Sequence, residues 1–277
     1  MASVFKLHAK VKRRYGRGVL ALQLLTKCML VTALFLALPV CLVFAEQREL
    51  KSEGFDKVDA VLLLDSSGSM RITDPGRLRD EGAKLFIQFL KFGDRVGIVE
   101  FDREGRVIRP LTEFRQDILD SLGYDIGRVG NSGLYTDIYA GLQTARKVLE
   151  ESPRKDANKI IVLLSDGKMD PDPKNGSAEK LTDKLLNDLL PELKAEGIKV
   201  HTLSFSDQAD KDLLSQIAAA TDGMNWFTPT ADKIHESYAE LFLVVKKPQI
   251  VPLTSKGFRI DPDIQEATFY INRENAQ

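Results

Sequence analysis

Apolar positions along this chain fall into two alternating rhythms. Short runs rich in Val, Ile and Leu occupy 58–64, 95–101, 159–164 and 198–205, and their near-continuous apolar character is that of strands covered on both faces. Between them apolar residues recur at helical spacing: Leu78, Leu85, Phe86, Phe89 and Leu90 within 77–92, then Ile138, Leu142, Ala145, Val148 and Leu149. The same spacing returns with Leu181, Leu185, Leu189 and Leu193 within 180–196, and with Ile234, Tyr238, Leu241 and Phe242 within 231–245. A further helix is expected over 208–220 and a short strand over 225–227. The segments 95–101 and 106–111, joined by a polar turn, predict a hairpin at one edge. Gly197 stands where the 180–196 helix would stop, and Pro191 inside it predicts a kink. Strands alternating with helices specify an α/β fold, a doubly wound, mostly parallel, Rossmann-like sheet with helices on both faces.

Two of the predicted strands end in a carboxylate. The first runs into Asp65-Ser66-Ser67-Gly68-Ser69, and the later one into Ser165-Asp166-Gly167. Between them Gly133-Leu134-Tyr135-Thr136-Asp137 leads into a helix, so Thr136 sits at a loop-to-helix start. Asp and Ser offer only oxygen ligands, the kind a hard divalent cation takes in about six-fold coordination. Alternate spacing at Asp65, Ser67 and Ser69 can aim three side chains at one point if the loop coils, and Gly68 lets it turn tightly. The DxSxS spacing alone is common; its position at the end of a buried strand, matched by a second such strand, gives it weight. In open parallel sheets ligands bind in the crevice beyond the carboxyl ends of the strands.

Together these residues resemble the von Willebrand factor type A (VWA) domain, over about residues 55–245. That family's metal-ion-dependent adhesion site uses DxSxS, a distant Thr, and an Asp at the end of a later strand. The resemblance carries these over to Asp65, Ser67, Ser69, Thr136 and Asp166 as metal ligands, with Mg2+ or Mn2+ as the cofactor. It implies direct contact from Ser67, Ser69 and Thr136, while Asp65 and Asp166 often act through water or hydrogen bonds. It also implies a protein ligand whose Asp or Glu carboxylate completes the shell. Leu134 and Tyr135 stand where bacterial members often carry two glycines. Met70, Arg71, Tyr135 and Lys168 flank the site as candidate rim residues or as ordinary loop positions.

Charge is near balance overall but lopsided along the chain. The first 45 residues hold seven Lys or Arg and no acid, leaving 32 basic against 40 acidic residues and a formal charge of −8 for the remainder. An acidic remainder argues against nucleic acid as the main partner. The basic lead is followed by 18 uncharged, mostly apolar residues, 28–45, which read as a signal peptide cleaved after Ala45 or as an uncleaved signal anchor. Either way the remainder is expected to be extracytoplasmic: membrane-anchored, periplasmic or secreted. Both cysteines, Cys28 and Cys41, lie inside that segment, so no disulfide framework is available to the exported part. The expected organisation is the N-terminal segment 1–45, a charged tether 46–57, the VWA domain 58–245, and strand-like segments over 246–277. About 30 residues cannot bury an independent sandwich core, so that last piece reads as a strand appendage or the start of a truncated domain.

Catalysis is not expected. There is no GxxxxGK[ST], GxSxG or HExxH, and Ser67 stands where a haloacid-dehalogenase-like phosphatase would carry its second Asp. A subunit of an ATPase-linked chelatase or chaperone-type complex is the alternative function, with a Mg-dependent phosphoryl-transfer enzyme behind it. The export segment argues against the former. Asp170 and Asp172 are expected in a solvated turn, since prolines and the missing final Glu spoil an EF-hand. His201 and His235 read as packing or surface residues, and Trp226 as a core or rim anchor.

Overall fold

The computed structural model describes residues 57–246 apart from 206 and 208. The expected export segment, most of the tether, the C-terminal strands and the His235 side chain lie outside the described residues. Among those described, no helix is long and apolar enough to cross a membrane.

Six strands form one sheet: β1 (Lys57–Asp65), β2 (Arg95–Phe101), β3 (Gly105–Glu113), β4 (Ala157–Leu164), β5 (Ile198–Ser204) and β6 (Asn225–Phe227). Their order is β3-β2-β1-β4-β5-β6, parallel throughout except for the β2–β3 hairpin at the edge. The chain therefore builds outward from β1 on one side and then crosses back to build β4, β5 and β6 on the other. That reversal makes the gap beyond the carboxyl ends of β1 and β4 the switch point where such sheets open a crevice.

The helices are α1 (Met70–Thr73), α2 (Leu78–Gln88), α3 (Leu119–Arg128), α4 (Ile138–Glu150), α5 (Ala178–Lys184), α6 (Leu190–Ala195), α7 (Lys211–Ala220) and α8 (Ala231–Lys246). On one face Val61, Leu63, Val99, Phe101, Ile161 and Leu163 pack with Leu142, Ala145 and Val148 of α4, Leu181 of α5, Leu193 of α6 and Leu214 of α7. The alternate strand residues, Leu62, Leu64, Ile98 and Val162 among them, are also buried. α2 packs against both α3 and α8, and α8 also contacts β1. Burial on both faces is what the unbroken apolar runs require.

The expected kink takes a definite form. A π turn, Leu185–Leu189, separates α5 from α6 immediately before Pro191. Proline has no N–H to donate and its ring crowds the carbonyl four residues back, so one wider turn absorbs the mismatch. Two elements have no counterpart in the sequence reading, α1 and α3. In α3, Gly123 and Gly127 dilute the helical signal around Leu122 and Ile126.

Candidate metal centre

Asp65 is the last residue of β1, and pairing of Leu64 with Leu164 sets it beside Ser165 at the end of β4. Ser165 Oγ donates to Asp65 Oδ2 at 2.5 Å, while Asp65 Oδ1 accepts the Ser67 N–H at 2.8 Å. This second bond folds the DxSxS loop back over its own aspartate. Ser67 Oγ and Ser69 Oγ then lie 2.9 Å apart. Ser66 faces the other way, its N–H and Oγ both held by the Phe101 carbonyl at 2.8 and 2.9 Å. The loop coils after Asp65, with Ser69 already in the helical region, and this brings the two serines of the candidate site together while Ser66 pins the loop to β2.

Asp166 follows Ser165 and is buried. Thr73 Oγ1, at the end of α1, lies 3.1 Å from Asp166 Oδ2 and 3.2 Å from the Ser69 carbonyl. Gly167 adopts φ +74°, and a Cβ there would come within 2.6 Å of Leu214 Cγ. Only glycine meets both conditions without strain.

The third loop joins the other two. The Gly133 carbonyl accepts the Gly68 N–H at 2.7 Å, and the Gly133 N–H donates to Ser66 O at 3.0 Å. Three residues on, Thr136 and Asp170 exchange backbone hydrogen bonds of 2.7 and 2.9 Å. Thr136 is buried between the DxSxS loop and the loop that follows Asp166. Asp137 caps α4 by accepting the Ala140 N–H at 2.9 Å. Asp65, Ser67, Ser69, Thr136 and Asp166 therefore stand on three adjoining loops at the switch point.

Burial, and then the nearby charge of Asp166, push the Asp65 carboxyl up to about 6, against hydrogen bonds from Ser165 and Ser67 that favour its ionised form. Neither Asp65 nor Asp166 is in an ion pair among the described residues. Two buried carboxylates that repel each other and meet only neutral donors are a costly arrangement. The donors around them are hard oxygens, and the pair carries the charge that a divalent cation neutralises. The set fits such an ion. Among the described residues no group of three or more His, Cys, Asp or Glu is placed to hold a metal, so any metal here relies on the hydroxyls.

The von Willebrand factor type A domain model matches residues 59–240. The chain belongs to this family. Domains of the VWA family commonly mediate protein–protein interaction and can hold a divalent metal at the metal-ion-dependent adhesion site. Bovine calcium-activated chloride channel regulator 1 is 28% identical over 154 residues, which is 55% of this chain and 15% of that protein. This chain thus spans about a sixth of the length of the curated relatives it matches. Proximal thread matrix protein 1 from the mussel byssus, solved with its MIDAS motif occupied by zinc, superposes with a TM-score of 0.51 at 21% identity, covering 70% of this chain and 48% of that one. The vWF domain of the type V pili tip protein Mfa5 from Porphyromonas gingivalis does so with a TM-score of 0.51 at 14% identity, covering 71% and 99%. At these identities the two structures establish the shared VWA fold.

Three further side chains shape the VWA crevice, and two of them carry no sequence signal of their own. Ser165 and Thr73 are legible only once β4 and α1 are in place. Arg79 is nearly fully buried; its guanidinium holds the Asp65 carbonyl, the Gly130 carbonyl at 3.0 Å and Asp80 Oδ1 at 2.8 Å. A signal existed, because Arg79 falls on the α2 stripe with Ala83, Phe86 and Leu90. Of the expected rim, Arg71 and Lys168 are exposed and Tyr135 is half-buried under Arg103, but Met70 is core. Asp172 is not in a solvated turn: it is buried, accepts the Lys174 N–H at 2.9 Å and pairs with Arg103 Nε at 3.0 Å. Asp170 is exposed. His201 is a packing residue, its ring against Trp226 and its Nδ1 accepting the Met224 N–H, with burial pulling its pKa down to about 4. Trp226 is a core anchor whose Nε1 donates to Glu240 at 2.7 Å.

Proposed function

We propose that this chain is an extracytoplasmic protein-binding module whose VWA domain holds Mg2+ or Mn2+ through Asp65, Ser67, Ser69, Thr136 and Asp166, and takes an Asp or Glu side chain of its partner. The observation that carries the reading is the buried pair Asp65 and Asp166, its carboxylates in no ion pair among the described residues and met by hydroxyls. An all-oxygen set favours Mg2+ or Mn2+ over softer metals. The bound ion would supply an electrophilic anchor for a carboxylate.

The protein's own groups prepare that anchor. Ser165 and the Ser67 N–H orient Asp65, Thr73 steadies Asp166, and Arg79 fixes the strand end that carries Asp65. We read the site as one that binds rather than catalyses, because its proton-bearing side chains are hydroxyls that position carboxylates. The export-type segment at 28–45 supports a place outside the cytoplasm, and a relative described as a pili tip protein is consistent with it. β1 begins and α8 ends at the pole away from the crevice.

Calorimetric titration of Mg2+ and Mn2+ into the full chain tests this, with Asp65→Ala alongside and circular dichroism to verify its fold. Saturable uptake by the wild type and none by a folded variant is expected. Equal uptake by both would place the metal elsewhere and refute the assignment.

A further inference from the structure

Two exposed aliphatic side chains stand on the segments around the crevice, where a plain carboxylate receptor needs only charge. Ile72 and Leu134 are 75% and 79% exposed, the highest values among the aliphatic residues of the exposed large hydrophobics described. Both belong to the loops that build the site. Ile72 lies three residues after Ser69, its N–H held by the Ser69 carbonyl at 2.8 Å, in a one-turn helix whose Met70 points into the core. Leu134 follows Gly133, which is bridged to Ser67, and precedes Thr136 by two residues. Two exposed cations stand on the same site loops, Arg71 next to Ile72 in the chain and Lys168 two residues after Asp166.

Scattered apolar side chains on a surface need no explanation. Here two of the most exposed ones sit on separate loops that hydrogen-bond to each other around one crevice, with positive charge on the site loops.

Resting on the reading of the crevice as a carboxylate-binding metal site, we infer that Ile72 and Leu134 select the partner. The occupant is an extended protein segment in which an acidic residue is flanked by large apolar side chains. Its carboxylate goes to the crevice, the flanking side chains cover Ile72 and Leu134, and further acidic groups meet Arg71 and Lys168. Burying one such aliphatic side chain changes affinity by about tenfold or more.

The test is fluorescence anisotropy of the full chain with three labelled pentapeptides: a central aspartate flanked by leucines, the same aspartate flanked by alanines, and a leucine-flanked asparagine. Each is measured with saturating Mg2+ and with a chelator. The leucine-flanked aspartate peptide should bind about tenfold or more tightly than the alanine-flanked one in Mg2+. The double variant Ile72→Ser, Leu134→Ser should erase that difference while leaving Mg2+ titration and the alanine-flanked peptide unchanged. Equal binding of the two aspartate peptides by the wild type, a preference that persists in the double variant, or no binding of either at millimolar concentration with Mg2+ bound overturns the inference. Failure of the underlying reading looks different: no Mg2+ uptake, or binding that neither chelation nor the asparagine exchange alters.

Discussion

At the scale of single residues, the domain stores unfavourable electrostatics at Asp65. Its carboxyl is raised to about 6 from an ordinary 3.8, first by burial and then by Asp166. A raised acid favours folding while protonated, so its contribution is fully present below about pH 4 and is lost as pH rises through about 6. Without metal, the urea midpoint of the wild type should therefore fall between pH 4 and 6.5 relative to Asp65→Asn, which has no proton to lose there. Parallel profiles of the two proteins would contradict the burial argument. Metal opposes this slope, because it favours the ionised carboxylate, and its affinity should climb with pH to a plateau above about 6.

At the scale of elements, glycines with opposite roles give a sharp comparison. Gly127 lies near the end of α3, exposed and with open space where a Cβ would go, so Gly127→Ala should stabilise the domain by about 0.5–1 kcal/mol through helix propensity. Gly167 turns the chain after β4 at φ +74°, with Leu214 and the Asp210 carbonyl filling the Cβ position. Gly167→Ala should cost about 1–3 kcal/mol and disturb Asp166, its neighbour. Urea denaturation of the two variants should move in opposite directions. The same elements show why helical periodicity was a better guide to α4 and α8 than to α3. Unbroken stripes such as Ile138, Leu142, Ala145 and Val148 declare a helix, whereas a stripe thinned by two glycines does not.

At the scale of the molecule, the start and end of the described chain are clasped at one pole. Asp94, buried before β2, accepts the Val58 N–H at 2.9 Å and pairs with Lys246 Nζ at 2.5 Å from each carboxylate oxygen. Seven residue steps along β1 lead from Val58 to Asp65, roughly 23 Å at strand spacing, so this clasp and the crevice occupy opposite ends of the sheet. Asp94→Ala removes the acceptor of the Val58 and Lys91 N–H groups as well as the ammonium's carboxylate and should cost about 3–5 kcal/mol, whereas Lys246→Met leaves the Asp94 carboxylate with those N–H donors and should cost less. Urea denaturation ranks them, and amide exchange should quicken in α8 of the first variant.

Strand and helix identities apart from α1 and α3, their order, the edge hairpin and the placement of Asp65 and Asp166 at strand ends follow from the sequence by itself, because periodicity and glycine or proline breaks act within a few residues. The partners that shape the site depend on contacts far apart in the chain. Ser165 meets Asp65 across one hundred positions only because β4 pairs with β1 in a particular register. Asp172 is drawn inside by Arg103, and Arg79 is buried because the end of β1 and the 129–130 loop offer it carbonyls. Such choices rest on how the sheet reverses direction at β1 and how its loops then pack, and that decision belongs to the tertiary structure.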